Sequence, residues 1–252
     1  MNTKSEVIFV KKIIILVFAL LITFFIHCHP TVNAYGFGFK KNQMHEIPDI
    51  GFYKSIIEDN NGYYVGNPEN VYLTFDVGYD NGYLEKYLDV LKSENVKATF
   101  FVTGDFVERF SSLLVRIYEE GHLICNHSYG HKCINTLNED QLKEELEKLE
   151  LAYYKKIGVK MPKIFRPPEG QFDEKSMKNM KKLGYKTVFW SIAHVDWKKS
   201  NDSSFDNVAN NLHDGAIILL HTVNEDNYKN LPKIIEFIRE KGYEFSTVDK
   251  IL

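Results

Sequence analysis

Asp76 closes the run VYLTF (71–75), in which Val71, Leu73 and Phe75 alternate with Tyr72 and Thr74 before Gly78, Asp80, Asn81 and Gly82 turn the chain. A carboxylate where a rigid strand meets an open loop has the setting of a general base, and equally that of a cap for the following turn. His127 and His131 follow in NHSYGH. Their i, i+4 spacing lets two imidazoles converge on a metal if a helical turn forms, and imidazole donors favour zinc or a neighbouring first-row metal. Arg166 opens RPPEG; it is suited to a two-pronged grip on a carboxylate, or to a surface ion pair. Pro167 and Pro168 stiffen that loop and Gly170 frees it to turn, so the amide of Glu169 can face an oxyanion. His221 directly follows AIILL (216–220) and can serve as a general acid, above all if a carboxylate such as Asp196 orients it. Trp197, beside Asp196, can wall a small pocket, stack on a sugar ring or fill the core. One histidine of this kind is usually a hydrogen-bonded structural residue. Two carboxylates, an arginine and three histidines at one kind of position form a constellation.

That position is the C-terminal end of an apolar run. Besides the run holding Val71, the pattern predicts strands over residues 96–104, 122–125, 163–165, 187–192, 216–220 and 243–246. Helical periodicity fills the gaps, over 84–94, 106–120, from Asn138, 173–183, 204–212 and 231–241, with Gly121, Gly184 and Gly242 as stops. Strand–helix alternation of this length means parallel strands with helical crossovers. About seven units suit a barrel better than a doubly wound sheet, and no Gly-rich phosphate fingerprint follows the first strand. Parallel barrels gather their chemistry at the C-terminal ends of the strands. Residues 35–68, rich in Gly, Asn and Pro, read as an irregular extension with one helical turn around 53–58.

The 252 residues, 44% of them hydrophobic, suffice for one full-sized domain. A net charge of -3 gives no electrostatic case for nucleic acid. Aromatic residues at 14% fit either a groove lined with rings or an aromatic core. At the N-terminus, Lys11 and Lys12 precede the apolar run 13–26, then Pro30 and Val32-Asn33-Ala34. This is the form of a secretory signal over residues 1–34, so the protein is expected to be exported. The run is shorter than the roughly 20 residues that span a bilayer; membrane association follows only if the segment stays uncleaved as an anchor. Cys28 follows His27, which argues against a lipidation site. Cys125 and Cys133 are expected to be free thiols.

The segments TFDVG, HSYGH, RPPEG, VDW and LLH, in this order, resemble the five motifs of the polysaccharide deacetylases, the NodB-homology group of carbohydrate esterase family 4. The resemblance covers residues 69–252. The phrases TFDVGYDNGYLEKYLDVLK, ATFFVTGDFV, LGYKTVFWSIAHVDW and LLHTVNEDN, with NGYYVG before them, are closer to the delta-lactam-biosynthetic de-N-acetylases of spore-cortex peptidoglycan. The resemblance implies a distorted (β/α)7 barrel, monomeric, acting on peptidoglycan glycan strands and hydrolysing a sugar acetamide, with a preference for strands freed of stem peptides. It implies Asp76 as base, His221 as acid tuned by Asp196, and Arg166 as the holder of Asp76. His127 and His131 would bind a divalent metal such as zinc, Trp197 and Leu219 would line an acetyl pocket, and the Glu169 amide would face the oxyanion. Two positions depart from the pattern. Val77 stands where the family usually has an aspartate as third metal ligand, and Ala193 where another aspartate usually braces the groove; Asp80 is a remote substitute for the missing ligand. Deacetylation of N-acetylglucosamine or chitin, and a non-catalytic glycan-binding module, are the competing readings.

Overall fold

The computed structural model describes residues 46–194 and 203–251. The signal segment, Asp196 and Trp197 lie outside the described residues. In chain order the elements are α1 (Tyr53–Glu58), β1 (Gly62–Tyr63), β2 (Asn70–Val77), α2 (Leu84–Ser93), β3 (Thr99–Val102), α3 (Gly104–Arg109), α4 (Ser111–Glu119), β4 (Leu123–Asn126), α5 (Glu139–Ile157), β5 (Ile164–Phe165), α6 (Glu174–Lys182), β6 (Lys186–Val188), β7 (Ile192–Ala193), α7 (Ser204–Asn211), β8 (Ile217–His221), α8 (Glu225–Glu240) and β9 (Glu244–Phe245).

The alternation in β2 sets up the whole sheet. Val71, Leu73, Phe75 and Val77 enter an apolar layer shared with Leu88, Leu91, Ile234 and Ile238 of the flanking helices. Tyr72 points the other way, into an inner cluster with Phe101, Phe165, Trp190 and Leu219. Both faces are buried, as parallel sheets require, and each large side chain so buried contributes roughly 1.5–3 kcal/mol. β2 pairs in parallel with β3 on one side and β8 on the other.

The sheet runs β1-β6-β5-β4-β3-β2-β8-β7, with β9 against the start of β2. The pattern in residues 187–192 predicts one strand; the structure makes two. β6 pairs with β1 and β5 at one edge, whereas β7 pairs with β8 at the other. Residues 189–191 step across between them: Phe189 donates its N–H to Tyr63, and Ser191 to Ile217. The strand breaks because the barrel closes there. A second seam lies beside it, where Val65 bridges Ala216 and Gly66 donates to Gly215 at 2.8 Å. Gly215 has φ +72°, and a Cβ on it would sit 2.4 Å from the Gly66 carbonyl oxygen, so only glycine fits. Residues 53–66 are therefore built into the barrel edge as α1, β1 and this seam, with order that their composition does not show.

The periodicity over 106–120 also divides, at Phe110 (φ −118°, ψ 41°), into α3 and α4. Helix α5 is capped at Asn138 as its sequence predicts, with Asn138 and Gln141 in a reciprocal capping box; Gly158 in the left-handed region ends it. Helix α8 begins at Glu225 under an Asn224 cap and carries Pro232 inside it; the expected start at Leu231 is six residues too late.

Candidate active site

Asp76 and His221 are register partners on the adjacent strands β2 and β8. In a parallel sheet such partners project from the same face, with backbones about 4.8 Å apart. Arg166, the residue after β5, lies fully buried beneath them. Its Nη1 donates to Asp76 Oδ1 at 2.8 Å, and its Nε and Nη2 donate to the carbonyls of Val188 and Phe189 at 3.2 and 3.0 Å. Those carbonyls lie at the break between β6 and β7. Closure of the barrel thus creates the acceptors that satisfy the guanidinium. Its flat faces are covered by Phe101, at 4.1 Å to the ring centroid, and Trp190, at 5.7 Å.

Burial alone would raise the Asp76 carboxyl, but Arg166, His127 and His221 outweigh it and hold Asp76 below its ordinary value. Burial draws Arg166 down, against the pull of Asp76; a guanidinium stays charged at neutral pH regardless. Asp76 is therefore an ionised carboxylate with one oxygen engaged. Its other oxygen, Oδ2, lies 3.7 Å from His127 Nε2, beyond hydrogen-bond distance.

His127 Nδ1 stands 2.9 Å from the carbonyl of Arg166. A carbonyl only accepts, so Nδ1 carries the proton and Nε2 presents its lone pair. Burial pushes His127 down to about 4 despite Asp76, which keeps the ring neutral. His131 reaches the same place by a loop and not by the helical turn its spacing suggests: Ser128 and His131 have φ of 66° and 53°. The two imidazoles end with centroids 5.0 Å apart at 71°.

The loop owes this shape to Glu145, a residue the motifs do not single out. Its carboxylate accepts from Ser128 Oγ at 2.9 Å and the Gly130 N–H at 2.7 Å, and pairs with Lys132 Nζ at 2.7 Å. Asn126 assists: its Oδ1 accepts the Ser128 N–H and its Nδ2 donates to Leu146 on α5. A signal was present. Position 145 falls on the buried stripe Leu142, Leu146, Leu149 of α5, where an unpaired glutamate would be costly.

Asp76, His127, His131 and His221 line one pocket of about 610 Å³ together with Tyr79, Asp105, Arg109 and Tyr129. Tyr129 packs on the start of α3, where a Cβ at Gly104 would meet its ring at 2.4 Å. Leu219 is buried in the barrel interior, two residues before His221 on β8, and is not part of this pocket wall. Glu169 is exposed at the head of a short turn (Pro168–Gly170) with φ 57°, its carboxylate bonded to Gln171; it too lies off the wall. Asp80 is spent as a cap, accepting the Leu84 N–H at 3.1 Å. Val77 faces the opposite layer from Asp76 and is 1% exposed. The two cysteines among the described residues are free, Cys125 buried and Cys133 half-buried.

Among the described residues no three His, Cys, Asp or Glu side chains stand together as a metal-holding group. The donor set that remains, one imidazole nitrogen fixed as a lone-pair donor and a second imidazole beside it, fits a cation held by two protein ligands with its other positions open.

A family model, "Polysaccharide deacetylase", matches residues 64–188. Peptidoglycan-N-acetylmuramic acid deacetylase PdaA of Bacillus subtilis is 43% identical over 85% of this chain and 84% of that protein. The structure of that enzyme, described as a family 4 carbohydrate esterase, superposes with a TM-score of 0.79 over 85% of this chain and 94% of that one. A peptidoglycan-N-acetylglucosamine deacetylase of Bacillus cereus is 38% identical over 72% of this chain and 68% of its own length. A family 4 pseudoenzyme from Bacillus anthracis also shares the fold, with a TM-score of 0.69 at 29% identity over 75% of this chain and 67% of that one.

Proposed function

This chain belongs to the polysaccharide deacetylase family, and we propose that it is an exported peptidoglycan N-acetylmuramic acid deacetylase. It hydrolyses the sugar acetamide to a free amine and acetate, toward muramic delta-lactam formation in spore cortex. The observation that carries this reading is the ionised Asp76, locked by Arg166 on one oxygen and open to the pocket on the other, in register with His221. A pseudoenzyme among its relatives means that family membership alone does not assign activity; the open oxygen of Asp76 is what supports it here. The choice of muramic acid over glucosamine rests on the similarity to PdaA.

Asp76 takes a proton from the attacking water through its open oxygen Oδ2. Arg166 holds the carboxylate in place and keeps it ionised before the reaction. His221, on the neighbouring strand, delivers a proton to the departing amine. Asp196 would tune it, and Trp197 would enclose the acetyl methyl; the resemblance gives Leu219 a share in this, although it stands off the pocket wall. His127 through Nε2, together with His131, would hold a divalent cation, zinc by donor type; when bound it supplies Lewis-acid polarisation of the acetyl carbonyl. The resemblance also gives the Glu169 amide a share in stabilising the oxyanion, although that residue stands off the pocket wall.

Mass spectrometry of digested peptidoglycan after treatment with the protein tests the reading. Loss of acetyl from muramic acid residues is expected; loss from glucosamine residues alone would reassign the substrate. Chelation is expected to suppress acetate release, and chelator-resistant release would remove the cation while leaving the enzyme. The second reading, a glycan-binding module without chemistry, is favoured by Val77 alone, and it predicts binding with no acetate under any divalent cation.

A further inference from the structure

The pocket around Asp76 carries one more charged feature that the deacetylation chemistry leaves unused. Helix α3 leaves β3 directly: Thr103 donates its N–H to Val77 and its hydroxyl to Gly78, the two residues after Asp76. Asp105 and Arg109 stand one turn apart on this short helix, on the face that lines the pocket. Among the described residues, Arg109 is the pocket's one lysine or arginine. Its Nη1 contacts Asp105 Oδ2 at 2.9 Å, with the two side chains 63% and 54% exposed. An ion pair so exposed is weak and exchanges partners readily.

N-acetylmuramic acid differs from N-acetylglucosamine by a lactyl ether on the ring carbon next to the one bearing the acetamide. When the stem peptide is absent, that ether ends in a free carboxylate. An acetamide placed over Asp76 therefore carries a negative charge a few bonds away, and Arg109 lines the same pocket as Asp76. We propose that Arg109 reads this lactyl carboxylate and is the residue that separates muramic acid from glucosamine. The inference rests on the muramic acid reading above and deepens it. Arg109 would give up Asp105 for the substrate carboxylate, gaining a forked, charge-assisted contact that a glucosamine residue cannot offer. Asp105 then works against substrate charge, and its role is to park Arg109 over the pocket when no glycan is bound. An intact stem peptide converts the carboxylate to an amide and removes the attraction.

The test uses the full-length protein on peptide-free glycan strands, in parallel with the same strands after amidation of the lactyl carboxylate. For the wild type, kcat/KM on muramic acid residues is expected to be roughly five- to tenfold higher with the free carboxylate than with the amide. In Arg109→Gln this preference is expected to disappear. Asp105→Ala is expected to sharpen it about twofold, because the competing anion is gone. An Arg109→Gln enzyme that still deacetylates muramic acid with the wild-type preference for the carboxylate overturns the proposal and leaves the function standing. Loss of the preference in both variants would point to distortion of α3 and overturn it as well. A wild type that acts on glucosamine alone would instead overturn the muramic acid reading itself.

Discussion

Two carboxylates, each in contact with the loop that carries His127 and His131, differ in what they leave unsatisfied. Asp76 and Glu145 are both nearly buried, both are held below their ordinary values, and both owe this to nearby cations and hydrogen-bond donors that outweigh burial. They differ in what is left over. Glu145 has both oxygens occupied, Oε2 by Ser128 and Gly130 and Oε1 by Lys132. Asp76 gives one oxygen to Arg166 and keeps the other facing a pocket lined with histidines. Burial and ionisation are therefore shared by the scaffold and the site. The spare lone pair in an open pocket is what distinguishes Asp76, the proposed base, from Glu145.

Removing the cation beneath Asp76 should break that contrast most severely. Arg166→Met keeps the packing on Phe101 and Trp190 but strands a buried carboxylate and two carbonyls. A loss of about 3–5 kcal/mol in urea unfolding is expected; a loss below about 1 kcal/mol would mean that the pair is not what holds the site. Next comes Val77→Asp, the substitution that would restore the usual family ligand. Because Val77 points into the apolar layer between sheet and helices, the new carboxylate is expected to cost about 3 kcal/mol and to add no metal affinity. Tighter metal binding without destabilisation would show that the end of β2 can rotate.

The same two residues mark how far the sequence could be read. Asp76, Arg166 and His221 were visible because each follows an apolar run, and the run itself states where the strand ends. Alternation in β2 and the cap of α5 were equally plain, since they depend on neighbours in the chain. The break in residues 187–192 was not: every residue there but Ser191 is a good strand former, and only the meeting of two sheet edges divides the run. Gly62 and Tyr63 are too short a strand for any period to register. Glu145 was hidden among the many acidic residues of α5, although its place on the apolar stripe set it apart. The left-handed residues that bring His131 to His127 depend on that same glutamate, so the two rings meet through a loop and not through the helical turn that the i, i+4 spacing suggested.

Glu145→Gln sharpens the comparison at smaller cost. It keeps an acceptor for the loop but loses the charge, and should lower stability by about 1–2 kcal/mol. The folded-state value of Glu145 is depressed, so its contribution is present above the unfolded value near 4.5 and is lost as pH falls through the folded one. The gap between wild type and Glu145→Gln in thermal unfolding should therefore be full at pH 7 and shrink as pH drops below 4.5. A gap that stays constant with pH would assign Glu145 a role other than that of a charged anchor.

The most direct measurement is acetate release from peptidoglycan glycan strands by the wild type and by Asp76→Asn, with Glu145→Gln assayed beside them. Asparagine cannot take the proton, so Asp76→Asn is expected to release acetate about a thousandfold more slowly. Glu145→Gln should retain a substantial fraction of wild-type activity. Wild-type protein that binds the strands yet releases no acetate, or Asp76→Asn protein that releases it at the wild-type rate, would contradict the assignment of Asp76 as the base.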